Sequence, residues 1–156
     1  MVMRPFLIGL ALLVFFLSGC EGPAFFEENR ALPSEIWHVD NVLEFTTNVE
    51  DTAAVYDFFL NIRHTGQYPY SNLYVFLDTE FPDQTIYKDT LECRLCDPGG
   101  RWYGSGLGDL LDLRVLFKLN TKLPQPGTYT IRLEQAMRQA ELPHIKDIGL
   151  RVEKKS

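Results

Sequence analysis

The stretch Leu111-Asp112-Leu113-Arg114-Val115-Leu116-Phe117-Lys118-Leu119 alternates apolar and polar residues with a period of two. Successive side chains of an extended chain point to opposite faces, so the apolar residues share one face and the charged residues share the other. Leu116 is the exception, because it is an apolar residue on the charged face. The stretch therefore predicts a half-buried β-strand.

The same period recurs along most of the chain, as in Tyr56, Phe58, Leu60 and Ile62. It predicts strands near residues 36–48, 54–64, 71–79, 84–95, 110–119, 127–137 and 146–153. Helix formers are concentrated only in 133–142, where we expect one turn of helix. Gly- and Pro-containing turns between the strands complete the pattern of an all-β fold. We expect an antiparallel two-sheet β-sandwich, jelly-roll or immunoglobulin-like, with about seven to eight strands.

The composition limits the classes of function. The chain has 156 residues, with 15 Lys and Arg against 21 Asp and Glu, and a net charge of −6. That length suits one domain. Phosphate contacts need a basic face, and the chain has no run of Lys or Arg to form one. We therefore expect a folded domain that does not bind nucleic acid.

Residues 1–19 have the layout of a bacterial lipoprotein signal peptide. Arg4 is positive, residues 6–17 are strongly apolar, and Leu17-Ser18-Gly19-Cys20 resembles a lipobox. The apolar stretch is shorter than the roughly 20 residues that a spanning helix needs. We expect cleavage before Cys20 and a membrane anchor of diacylglycerol and an acyl chain such as palmitate on this residue. An ordinary secretory signal followed by a chance cysteine, or an uncleaved anchor, is the alternative.

Residues 20–34 have the features of a tether between the lipid and the domain. Gly22-Pro23 and Leu32-Pro33 interrupt the segment, and no period is sustained. Phe25 and Phe26 are an exception, since they would either enter the lipid interface or cover a sheet edge. The folded domain is expected to span 35–156.

The residue inventory favours a protein that is not an enzyme. No serine lies in a Gly-x-Ser-x-Gly motif, and His38, His64 and His144 lack metal-ligand spacing. The glycine-rich 104–108 precedes a strand, whereas phosphate loops precede a helix. Asp97-Pro98-Gly99-Gly100 could supply oxygen ligands to calcium, but acidic residues are frequent throughout this chain. We expect no catalytic residue, no cofactor and no metal site.

Cys93 and Cys96 leave two readings open. An even pair of cysteines in an oxidising compartment favours a disulfide. On a regular strand, however, residues three apart point to opposite faces and cannot reach disulfide geometry. A disulfide requires the strand to end at Arg94, and two free thiols are expected if it does not.

The segment 96–109 is the candidate partner-binding site. It is longer than a usual connection, and long loops on a rigid scaffold tend to carry function. Arg101 and Trp102 are residue types that anchor protein interfaces. With Tyr103, Tyr68 and Tyr70 they could alternatively form an aromatic platform for carbohydrate, or the aromatics could cap the core.

A group of segments carries a family resemblance: Tyr68-Pro69-Tyr70-Ser71-Asn72-Leu73-Tyr74, Asp89-Thr90-Leu91-Glu92-Cys93, Gly100-Arg101-Trp102, 104–109, 133–138 and 148–154. Together they resemble the gliding-motility lipoprotein family GldH. The family's lipobox cysteine corresponds to Cys20, whereas Cys96 is outside the family pattern.

The resemblance implies a lipid-anchored protein of the cell envelope, at the outer membrane, that is required for gliding motility and the associated secretion machinery. Its partners would be envelope proteins of that machinery, and it would act as a non-catalytic scaffold or assembly factor. The alternative is a carbohydrate-binding lipoprotein module of the envelope, for which a glycan is the partner.

Overall fold

The computed structural model describes residues 24–155, which form ten β-strands and no α-helix. The strands are β1 Ala24–Ala31, β2 Ile36–His38, β3 Leu43–Val49, β4 Val55–Thr65, β5 Asn72–Glu80, β6 Ile86–Arg94, β7 Leu110–Lys122, β8 Gly127–Gln135, β9 Glu141–Pro143 and β10 Ile145–Lys155. All pairings are antiparallel. The all-β prediction is confirmed, with ten strands rather than seven to eight. No helix among these residues is long and apolar enough to cross a membrane.

The strands form two four-stranded sheets, ordered β1-β10-β4-β7 and β3-β8-β5-β6, and a small sheet of β2 and β9. Both large sheets contribute to one hydrophobic core. Its fully buried members include Phe45, Leu73, Tyr129 and Leu133 from one sheet and Tyr56, Leu60, Ile62, Ile148 and Leu150 from the other.

The period of two sets which face of each strand is buried. In β3 every second residue is buried and every intervening residue is exposed. The pattern of β7 is just as regular, yet Leu113, Val115 and Phe117 are only partly buried. Both β3 and β7 are edge strands of their sheets, so edge position alone does not account for this difference in burial. Leu116 lies on the opposite face and is 45% exposed.

The predicted tether is wrong from Ala24 onward, because residues 24–31 form β1. This strand pairs with β10, from Ala24 opposite Glu153 to Ala31 opposite Asp147. Phe26 packs against the core, and the ring of Phe25 meets that of Tyr56 edge-on at 5.2 Å. Phe26 therefore covers the sheet, whereas Phe25 packs one edge on Tyr56 and remains 37% exposed. The signal peptide and Cys20 lie outside the described residues.

Two further predicted elements differ from the structure. The strand predicted over 36–48 is divided into β2 and β3 by a turn, in which the indole Nε1 of Trp37 donates to the carbonyl of Asn41 at 2.9 Å. The helical turn expected in 133–142 is absent. The buried Gln135 side chain donates to the carbonyl of Gln139 at 2.8 Å and accepts from the N–H of Met137 at 2.9 Å, which holds this segment as a loop.

The connections differ between the two ends of the sheets. At one end, which we call the short-loop end, lie the loops 50–54, 81–85 and 123–126. At the other, the long-loop end, lie 66–71, 95–109 and the 136–144 segment that contains β9. Functional surfaces are commonly built from loops held by a rigid sheet, so the long-loop end is where the candidate site lies.

Candidate functional site

Residues 95–103 of the long-loop end form an ordered hairpin that extends beyond β6. Cys96 and Trp102 face each other across it. The N–H of Tyr103 donates to the carbonyl of Leu95, and the N–H of Asp97 donates to the carbonyl of Arg101, both at 2.9 Å. The candidate loop is therefore a projecting, hydrogen-bonded structure.

The Asp97 carboxylate organises the tip of this hairpin. Its Oδ1 accepts from the N–H groups of Gly99 and Arg101, each at 2.9 Å, and its Oδ2 lies 3.2 Å from Nε of Arg101. Gly100 has a φ of +83°, a conformation that other residues rarely adopt. Asp97 is the carboxylate that the sequence offered as a calcium ligand. Both of its oxygens instead contact groups within the turn.

Trp102 connects the hairpin to the core. It is partly buried, and its ring lies edge-on to the imidazole of His64 with centroids 4.8 Å apart. A methyl group added at Gly66 would lie 3.8 Å from the indole Nε1, so this glycine lies beside the indole. Trp102 therefore supports the hairpin from below, as in the prediction that the aromatics cap the core.

His64 is fully buried beneath Trp102. Its Nδ1 lies 2.9 Å from the carbonyl of Thr65, which assigns the proton to Nδ1. The Nε2 atom has no hydrogen-bond partner among the described residues. Burial lowers the pKa of His64, so the ring is neutral at physiological pH and belongs to the core rather than to a metal or catalytic site.

The two tyrosines predicted for the site also belong largely to its support. Tyr68 is only 3% exposed, its hydroxyl donates to the carbonyl of Asn72 at 3.1 Å, and burial raises its pKa. Its ring meets that of the partly buried Tyr70 edge-on at 5.6 Å. The expectation that Tyr68 presents a binding surface is wrong, because the core covers its ring.

Among the exposed side chains of the loop, three are large. The side chain of Arg101 is 87% exposed, Tyr103 is 53% exposed and Leu107 is 91% exposed. Sequence reasoning singled out the first two but missed Leu107. A large apolar residue between Gly106 and Gly108 was the signal for it.

The glycines before β7 serve close packing of backbone. Ser105 and Asp112 exchange two backbone hydrogen bonds, of 3.1 and 3.0 Å, so the loop pairs with the start of β7. A methyl group at Gly106 would lie 2.0 Å from the carbonyl oxygen of Leu110. Close packing of the backbone therefore accounts for the glycines of 104–108, which do not require a phosphate-binding role.

Cys93 and Cys96 are free thiols. Cys93 is buried on β6, and burial raises its pKa to about 12. Cys96 lies beyond the end of β6, where its Sγ is 3.9 Å from the carbonyl oxygen of Ser71. Of the two readings of the pair, the structure agrees with the free thiols, although β6 does end at Arg94, as a disulfide would have required.

A polar groove of about 410 Å³ crosses the outer face of the β1-β10-β4-β7 sheet, and no sequence pattern pointed to it. Asn61 donates to Glu27 at 2.8 Å, and Arg151, whose side chain is only 7% exposed, pairs with Glu27 and Glu153. Burial by itself would raise the pKa of Glu27, but the hydrogen bonds from Asn61 and Arg151 outweigh this effect, so the pKa is lowered. These contacts join three strands, so the groove residues hold β1 on the sheet.

Comparison with known proteins identifies similar sequences over nearly the whole described region. The profile of the GldH lipoprotein family matches residues 24–152. A gliding motility lipoprotein GldH homolog of Christiangramia forsetii is 34% identical over 148 residues, which cover 90% of each chain. The gliding motility lipoprotein GldH of Flavobacterium johnsoniae is 31% identical over 153 residues, 94% of each chain.

Similarity to solved structures is much lower. A family GH115 4-O-methyl-α-glucuronidase matches with a TM-score of 0.43 and 9% identity, over 87% of this chain and 18% of that one. The VP2 subviral particle of infectious bursal disease virus matches with a TM-score of 0.39 and 8% identity, over 84% and 33% of the two chains.

Proposed function

The chain belongs to the GldH lipoprotein family, and we propose that it serves gliding motility as a cell-envelope protein that binds other envelope proteins and performs no catalysis. The relatives bear the name of gliding motility lipoproteins. The partners are proteins of the gliding apparatus and of the secretion machinery associated with it. The protein acts as a scaffold or assembly factor.

The observation that carries a binding role is the construction of the 95–109 loop. Its backbone is fixed by the Asp97 turn and by pairing with β7, while Arg101, Tyr103 and Leu107 are directed into solvent. A partner that binds a preordered loop does not have to offset the entropy of ordering it. Arg and Tyr are also the residue types that contribute most to interfaces.

The anchor belongs to the same proposal. Residues 1–19 are removed as a signal peptide, Cys20 carries the lipid, and the anchored protein resides at the outer membrane. The Leu17-Ser18-Gly19-Cys20 sequence and the lipoprotein relatives support this. Two or three acyl chains are enough for stable attachment to a bilayer.

The scaffold proposed for the site is a β-sandwich made of the two four-stranded sheets. Side chains of both sheets share one core, and the short connections 50–54 and 123–126 each lead from one sheet to the other. A sandwich gathers its loops at two ends, and in this chain the longer loops share one of them, which suits a composite binding surface.

The carbohydrate-binding alternative requires exposed aromatic faces. Tyr68 is buried and Trp102 packs against His64, so Tyr103 is the one ring of the predicted platform that is more than half exposed. This arrangement favours a protein partner. A glycan array with the acylated protein separates the two, since a specific glycan signal lost in Tyr103→Ala would favour the carbohydrate module.

Cross-linking in intact cells tests the proposed function. The double variant Arg101→Ala with Tyr103→Ala removes two exposed side chains, and we expect it to lose cross-linked envelope proteins and gliding without a change in melting temperature. Phe76→Ala is the control, because Phe76 is an exposed apolar residue, 47% exposed, in the middle of β5 and outside the loops of the long-loop end. Normal gliding and normal cross-links in the double variant would contradict the proposal.

A further inference from the structure

We infer that the anchored protein stands on the bilayer by its short-loop end and holds the 95–109 loop at the end farthest from the lipid. The inference rests on the proposed attachment of lipid to Cys20. It assigns a membrane-contact surface to the loops 50–54 and 123–126 and to Phe25. Four observations lead to it.

The first is the short reach between the anchor and the fold. Three residues separate Cys20 from Ala24, and Ala24 is already the first residue of a paired strand. Four residue steps span at most about 14 Å even when fully extended. A domain attached in this way cannot stand away from the membrane, in contrast to the tether expected from the sequence.

The second observation is the position of Ala24 in the sheet. Ala24 pairs with Glu153 near the end of β10, and the start of β4, Val55, lies between Lys155 and Lys122. These residues adjoin the loops 50–54 and 123–126. The lipid is therefore attached at the short-loop end.

The third observation is the chemistry of that end. Phe25 is 37% exposed, Ala53 and Pro124 are exposed, and Ala53, Ala54 and Val55 line a shallow depression. Two lysines there are paired with acids, Lys154 with Asp51 at 2.7 Å and Lys155 with Asp57 at 2.9 Å, and the charge of the exposed Lys122 is balanced by that of the exposed Glu50. Small apolar residues among balanced charges suit the interface of a bilayer, and contact with it does not depend on anionic lipid.

The fourth observation is the length of the sheet between the two ends. β4 runs from Val55 at the short-loop end to Thr65 at the long-loop end, a distance of about 33 Å for an extended strand. Gly66 bonds to the carbonyl of Asp109 at 2.8 Å, which fixes the 95–109 loop at the far end. The exposed Arg101, Tyr103 and Leu107 are thus presented to proteins beyond the headgroups.

Depth-dependent fluorescence quenching tests this orientation. The full acylated protein would be placed in vesicles of phosphatidylethanolamine and phosphatidylglycerol that contain doxyl-labelled lipid. A fluorophore would be attached through Ala53→Cys, or through Leu107→Cys as the matched distal position, in a Cys96→Ser background. Cys93 is 1% exposed and stays unlabelled in the folded protein. We expect several-fold stronger quenching at position 53 than at position 107, unchanged in high salt.

Two outcomes would overturn the inference in distinguishable ways. If the protein carries a fatty-acid label and sediments with vesicles, but quenching is equal at both positions or stronger at 107, the orientation is wrong and the anchor stands. If no label is incorporated and the protein does not sediment, the anchor itself fails and the orientation fails with it.

A lengthened connection tests the physical reason. Insertion of about twelve Gly and Ser residues after Gly22 adds a flexible segment with an end-to-end distance of about 20 Å. We expect quenching at position 53 to fall several-fold while sedimentation with vesicles persists. Undiminished quenching would show that the short connection between Cys20 and Ala24 is not what holds the domain at the membrane.

Discussion

The indole of Trp102 meets the buried imidazole of His64 edge-on, with the two ring centroids 4.8 Å apart. This contact links the projecting hairpin 95–103 to β4, in the middle of its sheet. Trp102 therefore stabilises the fold, whereas Arg101 and Tyr103, its neighbours in sequence, remain available for contact with partner proteins.

The first prediction separates support from contact within the hairpin. Trp102→Ala should lower the free energy of unfolding by about 2–3 kcal/mol, somewhat less than the loss for a fully buried large aromatic residue. Tyr103→Ala should change it by less than about 0.5 kcal/mol, as is usual for exposed positions. Urea unfolding followed by circular dichroism measures both. Equal losses in the two variants would mean that Trp102 does not anchor the hairpin.

The second prediction concerns pH. Burial lowers the pKa of His64, so at mildly acidic pH the unfolded chain binds a proton that the folded chain does not bind. Stability is therefore complete above the unfolded pKa of about 6.5 and decreases as the pH falls below it, by up to about 1.4 kcal/mol per pH unit. Urea unfolding from pH 7.5 to 5 would measure the slope.

His64→Phe is the control for this pH dependence, because it keeps an aromatic ring against Trp102 and removes the titrating group. Whatever its absolute stability, the slope of its stability between pH 7 and 5 should be shallower than that of the native protein. The same slope in both proteins would assign the pH dependence to other groups.

The third prediction concerns the thiols. Iodoacetamide at pH 8 should alkylate the partly exposed Cys96 and leave Cys93 unmodified, because burial both blocks Cys93 and raises its pKa to about 12. Mass spectrometry of the native and urea-unfolded protein would show one and then both sites modified. A Cys93–Cys96 disulfide in protein purified without reductant would refute the assignment of free thiols.

The fourth prediction tests β1 directly. A methyl group at Gly149 would lie 1.9 Å from Oδ1 of Asn29 and 2.7 Å from the carbonyl oxygen of Glu28, so Gly149→Ala should push β1 away from β10. We expect a loss of about 1–3 kcal/mol, as for other overpacked sites, and faster hydrogen exchange across 24–31. Gly66→Ala is the control, since its nearest neighbour would be 3.8 Å away. Unchanged exchange in Gly149→Ala would show that β1 is not held as described.

Alternation by itself identified the strands that became β4, β5, β6, β7, β8 and β10. In these strands each apolar face is long enough to be recognised, because a period of two is a local property of an extended chain. Lipobox residues, the absence of catalytic motifs and the family segments are also local in sequence. They supported an all-β lipoprotein of the GldH family before any tertiary contact was known.

Which of the alternating faces would be covered was decided only by the tertiary structure. The regular pattern of β7 gives no sign that its apolar face is only partly buried. The sequence of β1 shows no sustained period, and this segment is held as a strand by distant residues such as Arg151, which pairs with Glu27 from 124 residues away. Tyr68 and Tyr103 are likewise the same residue type in two loops, yet one is 3% and the other 53% exposed. Burial and pairing depend on neighbours brought together by folding, and a local sequence pattern carries no record of those neighbours.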